Sequence, residues 1–184
     1  MSKKTCIVLV GAPCSGKSAA GKLVASKMNI GYISSGDIAR EMAKHDAQVG
    51  NDLSNGKMAP EVKMRNSIQN KLWRHLIEKD NDIVILDGFP RFGEQAEWLY
   101  SILPKYIIIH YVLFDITSLS TIIERSAHRG RDDDKSLERR LKYYYNTTLP
   151  DLREYIDKCI DSEENSIEEC SELLIEYIKE VSMC

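Results

Sequence analysis

The sequence has few long apolar runs, no paired cysteines and no linker-like segments. No stretch approaches the roughly 20 apolar residues that a membrane-spanning helix needs. The run Cys6–Val10 is too short for a secretory signal and is better explained as a buried strand. The five cysteines include no C-x-x-C pair, which favours reduced thiols over a disulfide framework or a zinc site. We therefore expect a single cytoplasmic domain over residues 1–184, monomeric and without membrane contact.

Charge is distributed unevenly along the chain. The formal net charge is −3, yet residues 151–184 hold 11 acids against 3 bases, and residues 1–150 hold 22 bases against 17 acids. The basic excess coincides with the glycine-containing loops, where it favours an anionic small-molecule ligand. No aromatic platform accompanies the arginines at 125–140, so nucleic acid is not expected as a partner.

Apolar runs alternate with helical patterns, which is typical of an α/β fold with a parallel sheet covered on both faces. Strands are predicted at Thr5–Val10, Gly31–Ser34, Ile83–Leu86 and Lys105–Phe114, with a weak fifth strand at Lys158–Ile160. Helices are predicted over Lys17–Met28 and Glu61–Lys79, and a final helix opens with Ser166 and Glu169 spaced as a capping box. We assign that final helix a packing role alone.

GAPCSGKS at residues 11–18 matches the P-loop pattern G-x-x-x-x-G-K-[ST] in full. It lies between a predicted strand and a predicted helix, as phosphate binding by backbone N–H groups and a helix N-terminus requires. Lys17 would reach the β- and γ-phosphates of a nucleotide, and Ser18 would ligate Mg²⁺. The alternative is a strand–helix turn that shares the pattern without binding a nucleotide.

Asp87 follows the apolar run Ile83–Leu86, at the place where a P-loop protein holds Mg²⁺, usually through water. The alternative is that Asp87 caps the turn at Gly88. Lys17, Ser18 and Asp87 by themselves fit an ATPase, a GTPase or a kinase.

Arginines follow these motifs at Arg91, Arg125, Arg131 and Arg140. The planar guanidinium fork matches two phosphate oxygens at once, and several arginines can converge on a phosphoryl group in transfer. The alternative for any one of them is a solvated surface paired with residues such as Asp132–Asp134.

These segments together resemble the adenylate kinase branch of the nucleoside monophosphate kinases over nearly the whole chain. They are, in order, GAPCSGKS, ISSGDIAR at 33–40, GKMAP at 56–60, LDGFPR at 86–91, Gln95, Arg125, GRDDD at 130–134 and RLKYYYNTTLP at 140–150. The short interval from Arg125 to Arg131 resembles the short-lid form.

The resemblance implies a three-layer P-loop nucleoside kinase fold with about five parallel strands. It also implies Mg²⁺-dependent, reversible transfer of the terminal phosphate of ATP to a nucleoside monophosphate, with AMP the first candidate. A UMP/CMP kinase of the same family, or a nucleotide-binding regulatory module with weak transfer activity, is the alternative.

The resemblance further implies a role for each matching position. The ATP phosphates would contact Cys14, Ser15, Gly16, Lys17, Ser18, Ala19 and Arg125. The acceptor would contact Ser35, Arg40, Lys57, Met58, Ala59, Gly88, Phe89, Pro90, Arg91, Gln95, Arg131 and Arg140. The catalytic set would be Lys17, Arg91, Arg125, Arg131 and Arg140, and the Mg²⁺ set Ser18 and Asp87. Two flaps, at about 35–65 and 124–136, would close over both nucleotides and exclude water.

Departures from the family pattern bear on base recognition. Cys14 stands where the family usually has Gly. Thr121 stands where an arginine often packs on the donor base, so we expect modest discrimination among triphosphate donors. Ser35 and Gln95 favour an adenine acceptor, because a Gln amide matches the N1 and exocyclic amine edge of that base. The alternative for Gln95 is that it caps the helix that begins there.

Overall fold

The computed structural model describes residues 4–79, 81–129 and 136–183. Five parallel strands form one sheet in the order β2-β3-β1-β4-β5. The strands are β1 (Lys4–Gly11), β2 (Gly31–Ser34), β3 (Ile83–Asp87), β4 (Ile107–Asp115) and β5 (Ile156–Asp161). The predicted α/β class and parallel sheet are confirmed.

Nine α-helices lie within the described part of the chain. They are α1 (Lys17–Met28), α2 (Ser35–His45), α3 (Ala47–Ser54), α4 (Glu61–Trp73), α5 (Gly93–Ile102), α6 (Leu119–Arg129), α7 (Leu137–Tyr143), α8 (Leu149–Leu152) and α9 (Ile167–Met183). A π-helical turn at Arg74–Glu78 extends α4, and another at Tyr144–Thr148 joins α7 to α8.

The sheet has a hydrophobic core on each face, because the β1 side chains alternate between the two. Cys6, Val8 and Val10 pack with the buried residues of α2, α4 and α5, whereas Ile7 and Leu9 pack with those of α1 and α9. A strand covered on both faces must be apolar nearly throughout, which explains the continuous apolar run in the sequence. The predicted three-layer arrangement is therefore confirmed.

Two predicted strands, β4 and β5, differ from the structure by two residues at their starts. β4 begins at Ile107, two residues after the predicted start, because the Ile107 N–H closes a turn on the Pro104 carbonyl at 2.9 Å. β5 has six residues, twice the predicted length. It lies at the sheet edge with most of its side chains exposed, so its sequence carries little apolar pattern.

Strand register brings the chemically distinctive residues together at the carboxyl edge of the sheet. Asp87 at the end of β3 lies opposite Leu9 in β1 and opposite Ser34 at the end of β2. Ligands of open parallel sheets bind at this edge.

Membrane insertion is not indicated by the helices. None of those within residues 4–79, 81–129 and 136–183 has the length and apolar character needed to cross a bilayer.

Candidate active site

The loop from Ala12 to Gly16 joins β1 to α1 and wraps around an open space. The Ser15 N–H bonds the Ala12 carbonyl at 3.2 Å, and the Lys17 ammonium donates to the same carbonyl at 3.1 Å. Gly16 has φ 86°, a left-handed conformation that glycine adopts without strain, and it precedes the first turn of α1. The N-terminus of a helix, where backbone N–H groups and the positive end of the helix dipole point outward, favours an anion, and the Ala19 and Ala20 N–H groups close the first turn on the Gly16 carbonyl at 3.0 Å.

The Ser15 hydroxyl is a second indication of an anion site in this loop. Ser15 is 1% exposed, and within the described residues its Oγ has no hydrogen-bond partner. A buried hydroxyl without a partner is rare, since its desolvation costs free energy. An anion bound in this loop, such as a phosphate, would supply an acceptor.

Asp87 is the third polar group at this edge. Its Oδ2 accepts from Ser18 Oγ at 2.6 Å and from the Tyr32 hydroxyl at 2.8 Å. Burial, followed by the charge of Asp87, raises the pKa of Tyr32, so the phenol keeps its proton and remains a donor. The Asp87 carboxylate is 3% exposed, and its Oδ1 has no partner within the described part of the chain. The donor set at this point, a carboxylate oxygen and a hydroxyl, consists of the hard oxygens that Mg²⁺ prefers.

The turn after β3 carries Arg91. The Phe89–Pro90 peptide bond is cis, and Gly88 has φ 74°. The Gly88 carbonyl accepts from Arg91 Nε at 2.9 Å and from Ser35 Oγ at 2.7 Å, so this turn orients both side chains.

Arg91 lies close enough to Arg140 for their charges to interact. Burial lowers the pKa of the Arg91 guanidinium, and the nearby positive charge of Arg140 lowers it further. Two guanidinium groups repel each other unless an anion lies between them. The arrangement is thus suited to a phosphate.

α2 and the segment after α3 form another wall of the open space beside the P-loop. Arg40 on α2 bonds Asp37 at 2.6 Å, and Lys57, after α3, bonds Asp52 at 3.0 Å. The Arg40 and Lys57 side chains both line this open space.

One continuous cleft of about 760 Å³ connects all of these groups. Its lining includes most of the predicted residues: Cys14, Ser15, Gly16, Lys17, Ser18, Ala19, Ser35, Arg40, Lys57, Asp87, Gly88, Arg91, Arg125 and Arg140. Predicted residues that are described but do not line it are Met58, Ala59, Phe89, Pro90 and Gln95. Arg131, with the rest of 130–135, lies outside the described residues.

Gln95 lies behind the cleft wall on the first turn of α5, where it is 2% exposed. Its Oε1 accepts from the Arg91 N–H at 2.7 Å, and its Nε2 donates to Glu61 at 2.8 Å. The side chain therefore connects the turn before α5 with the start of α4.

The final helix packs against the sheet through Cys170, Leu174 and Ile178, as predicted, but its start also borders the cleft, which was not predicted. Ser166, Ile167 and Cys170 line the cleft together with Ser162 and Asn165 of the loop between β5 and α9. Their only sequence signal was the capping box, which predicts a helix start and says nothing about a neighbouring cavity. Sequence position cannot reveal that this loop meets a cleft whose P-loop lies more than 100 positions earlier.

Arg125 contacts the loop between β5 and α9. Its guanidinium donates to the Ser162 carbonyl at 2.8 Å, which holds it against the β5–α9 loop. Thr121, four residues earlier, donates its hydroxyl to Ser118 at 2.9 Å and does not contribute to the lining, as far as the described residues extend. The guanidinium group that lines the cleft beside the β5–α9 loop is therefore that of Arg125.

Comparison with known proteins identifies relatives over most of the chain. The model of the adenylate kinase family matches residues 9–160. The adenylate kinase of Corynebacterium diphtheriae is 31% identical over 173 residues, covering 89% of this chain and 93% of that protein. The adenylate kinase of a Mycobacterium species (strain MCS) is 32% identical over 158 residues, covering 81% and 84%. UMP-CMP kinase 1 of Oryza sativa subsp. japonica is 29% identical over 157 residues, covering 83% and 64%.

The family match spans the P-loop, Asp87, and the turn that bears Arg91, and it ends before the loop that leads from β5 to α9. The resemblance inferred from the motifs is thereby confirmed, and the chain belongs to the adenylate kinase family of nucleoside monophosphate kinases.

Proposed function

We propose that this chain catalyses the Mg²⁺-dependent, reversible reaction of ATP with AMP to give two molecules of ADP. The observation that carries the proposal is the single cleft. It joins a P-loop, whose Ser15 hydroxyl has no hydrogen-bond partner among the residues that the structure describes, to a wall bearing Ser35, Arg40 and Arg91. A nucleoside triphosphate hydrolase needs the first half of such a cleft, whereas a transferase needs both halves.

The donor half of the proposal uses the P-loop and the loop before α9. The N–H groups at the start of α1 and the Ser15 hydroxyl would bind the phosphates, and Lys17 would neutralise their charge. Arg125, fixed on Ser162, offers a planar face on which a base can stack, a contact worth about 0.5–2 kcal/mol. We therefore assign to Arg125 the base contact that Thr121 cannot make.

Ser18 and Asp87 would hold the metal, and Asp87 Oδ1 has no hydrogen-bond partner among the described residues. When bound, Mg²⁺ neutralises charge on the β- and γ-phosphate oxygens. The Tyr32 hydrogen bond restricts the Asp87 carboxylate to one orientation, so the protein loses little freedom when the metal binds.

The transfer itself needs positioning more than acid–base chemistry. An acceptor phosphate oxygen would attack the γ-phosphorus, and the bond to the bridging β–γ oxygen would break, with its electron pair leaving on ADP. The acceptor is already an anion, so no general base is needed. Arg91 and Arg140, adjacent and mutually repelled, would gain from the negative charge placed between them.

The acceptor base is assigned from Gln95 and Ser35. Ser35 lines the cleft, and Gln95 lies behind the cleft wall with an amide, which combines a donor and an acceptor. The relatives include both adenylate and UMP-CMP kinases, so family membership by itself leaves the base open. The amide at position 95 favours adenine.

A coupled assay with purified protein, ATP–Mg²⁺ and a panel of monophosphates tests the proposal. We expect AMP and dAMP to be good acceptors, with CMP, UMP and GMP poorer by at least about tenfold in kcat/KM, equal to about 1.4 kcal/mol. Chelation of Mg²⁺ should abolish transfer, and added Mg²⁺ should restore it.

Two outcomes of that assay would contradict the proposal. A better rate with CMP or UMP in direct competition would assign the chain to pyrimidine nucleotides. Absence of transfer to every acceptor, with ATP still bound, would indicate a nucleotide-binding regulatory module.

A further inference from the structure

The loop between β5 and α9 is attached to α6 at two points. Glu163 Oε2 accepts from the N–H groups of Thr117 and Ser118, at 3.0 and 3.1 Å, and from the Thr117 hydroxyl at 3.1 Å. Thr117 and Ser118 directly precede the first residue of α6. The second point is the hydrogen bond from Arg125, about two turns along the helix, to the Ser162 carbonyl at 2.8 Å.

The same loop is fixed to the end of β4. The Ser162 N–H and hydroxyl both donate to the Asp115 carbonyl, at 2.8 and 2.7 Å. The Glu163 N–H donates to Asp161 Oδ1 at 2.9 Å, so the backbone that carries the Glu163 carboxylate is also held. The loop therefore connects α6 to the sheet.

Charge strengthens the contact between Glu163 and the start of α6. Hydrogen bonds from the Thr117 and Ser118 N–H groups lower the pKa of Glu163, so its side chain is a carboxylate at neutral pH. A negative charge beside the N-terminus of a helix is favourable, because the helix dipole has its positive end there. Glu163 is therefore suited to fix the start of α6.

Two attachment points determine both where α6 lies and which way its axis points. If the Arg125 bond were the single attachment to this loop, the helix could pivot about that contact. Arg125 lines the cleft, and the direction from which its guanidinium enters depends on where α6 places its backbone. When a binding group is in place for only a fraction of the time, the apparent Kd rises by the inverse of that fraction.

We propose that Glu163 is a positioning residue for the donor nucleotide, because it fixes the start of α6 and thereby the Arg125 guanidinium. This inference rests on the proposed function, in which Arg125 contacts ATP. Within the described residues Glu163 does not line the cleft, so its role is indirect. Forty-five residues separate Glu163 from Ser118, and no local sequence pattern links them.

Glu163→Ala removes all three hydrogen bonds to the start of α6. The calorimetric Kd for ATP–Mg²⁺, measured without an acceptor, should rise about fivefold, and the KM for ATP should rise by the same factor. The KM for AMP should stay unchanged, because the proposed acceptor wall lies on α2 and the turn after β3. A purely structural role would lower Tm and leave both substrate constants unchanged.

Two further variants separate the hydrogen bonds from the charge and from the position in the loop. Glu163→Gln keeps an oxygen that can accept the same bonds, so its Kd for ATP–Mg²⁺ should lie within about twofold of the wild-type value. The matched control is Glu164→Ala, which removes the neighbouring exposed acid and should leave every constant unchanged.

A double-mutant cycle with Arg125→Ala tests whether Glu163 acts through Arg125. Arg125→Ala by itself should weaken ATP–Mg²⁺ binding about tenfold. Adding Glu163→Ala to that variant should cause no further loss, because no guanidinium is left to position.

The possible failures can be told apart. Additive losses in the double variant, or equal losses for ATP and AMP in Glu163→Ala, would show that Glu163 does not act through Arg125, and the inference would be wrong. An unchanged Kd for Arg125→Ala would contradict the donor role of Arg125 in the proposed function, and this inference with it. Failure of AMP as the acceptor would not alter these results, since ATP binding is measured without an acceptor.

Discussion

Gly88 shows how one residue combines backbone and side-chain constraints at the start of the acceptor wall. It has φ 74°, and a Cβ at this position would lie 2.8 Å from Ser35 Oγ. Gly88→Ala should therefore lower the free energy of unfolding by about 1–3 kcal/mol and raise the KM for the acceptor. Denaturant unfolding and acceptor kinetics measure the two effects.

Gly93→Ala is the matched control for that substitution. Gly93 begins α5, has no left-handed φ, and a Cβ there meets nothing within 4 Å. Stability should be unchanged or slightly higher, because Ala favours a helix over Gly. Equal losses in the two variants would show that the geometry of Gly88 is not the cause.

For single residues, the sequence predicted the chemical type of the side chains at the site better than it predicted which side chains contact one another. The chemistry of Lys17, Asp87 and Arg91 follows from their motifs, and the structure brings all three to one cleft. The hydrogen bond between Gln95 and Glu61 could not be predicted, since 34 residues separate them and neither belongs to a local pattern that implies the other. Contacts of this kind depend on how two helices pack.

Among the elements, the start of α7 contacts the loop that follows α3. Arg139 Nη1 donates to the Asn55 carbonyl, and a Cβ on Gly56 would lie 2.7 Å from Ser136 Cβ. This contact joins the two segments that flank the cleft. Arg139→Ala should raise the KM for the acceptor about three- to tenfold, the equivalent of one charge-assisted hydrogen bond of about 1 kcal/mol at an exposed position.

Steady-state kinetics with each substrate varied in turn would measure this effect. The control is Lys142→Ala, another exposed cation on α7, which should leave both KM values unchanged. Identical kinetics for Arg139→Ala and the wild type would mean that the contact between Arg139 and Asn55 does not contribute to acceptor binding.

Element boundaries were predictable where the local chemistry is strong. The capping box at Ser166 and Glu169 forms both of its bonds, at 3.2 and 2.8 Å, and Met64, Ile68, Leu72 and Leu76 of the second predicted helix are all buried. β5 was predicted too short because an exposed edge strand has no apolar run. The contribution of the β5–α9 loop to the cleft depends on tertiary structure, which no window of sequence contains.

For the whole molecule, the cleft unites segments from five regions of the chain, and one ligand can in principle contact all of them. Two adenosines joined through five phosphates would fill the proposed donor and acceptor sites at once. Because ligand binding stabilises the folded state by RT ln(1 + [L]/Kd), a thousandfold excess over Kd should contribute about 4 kcal/mol. For a chain of this size that corresponds to a rise in Tm of about 8–16 °C.

The control ligand is adenosine pentaphosphate, which carries the same phosphates and lacks the second adenosine. At equal concentration it should stabilise the protein less, because the acceptor base site remains unfilled and Gln95 gains no partner. The two-adenosine compound should also compete kinetically with both ATP and AMP, since it occupies both positions. Competition with ATP alone, together with equal Tm shifts for the two compounds, would show that the second wall of the cleft binds no nucleotide. The proposed acceptor site would then have to be abandoned, while the P-loop assignment would stand.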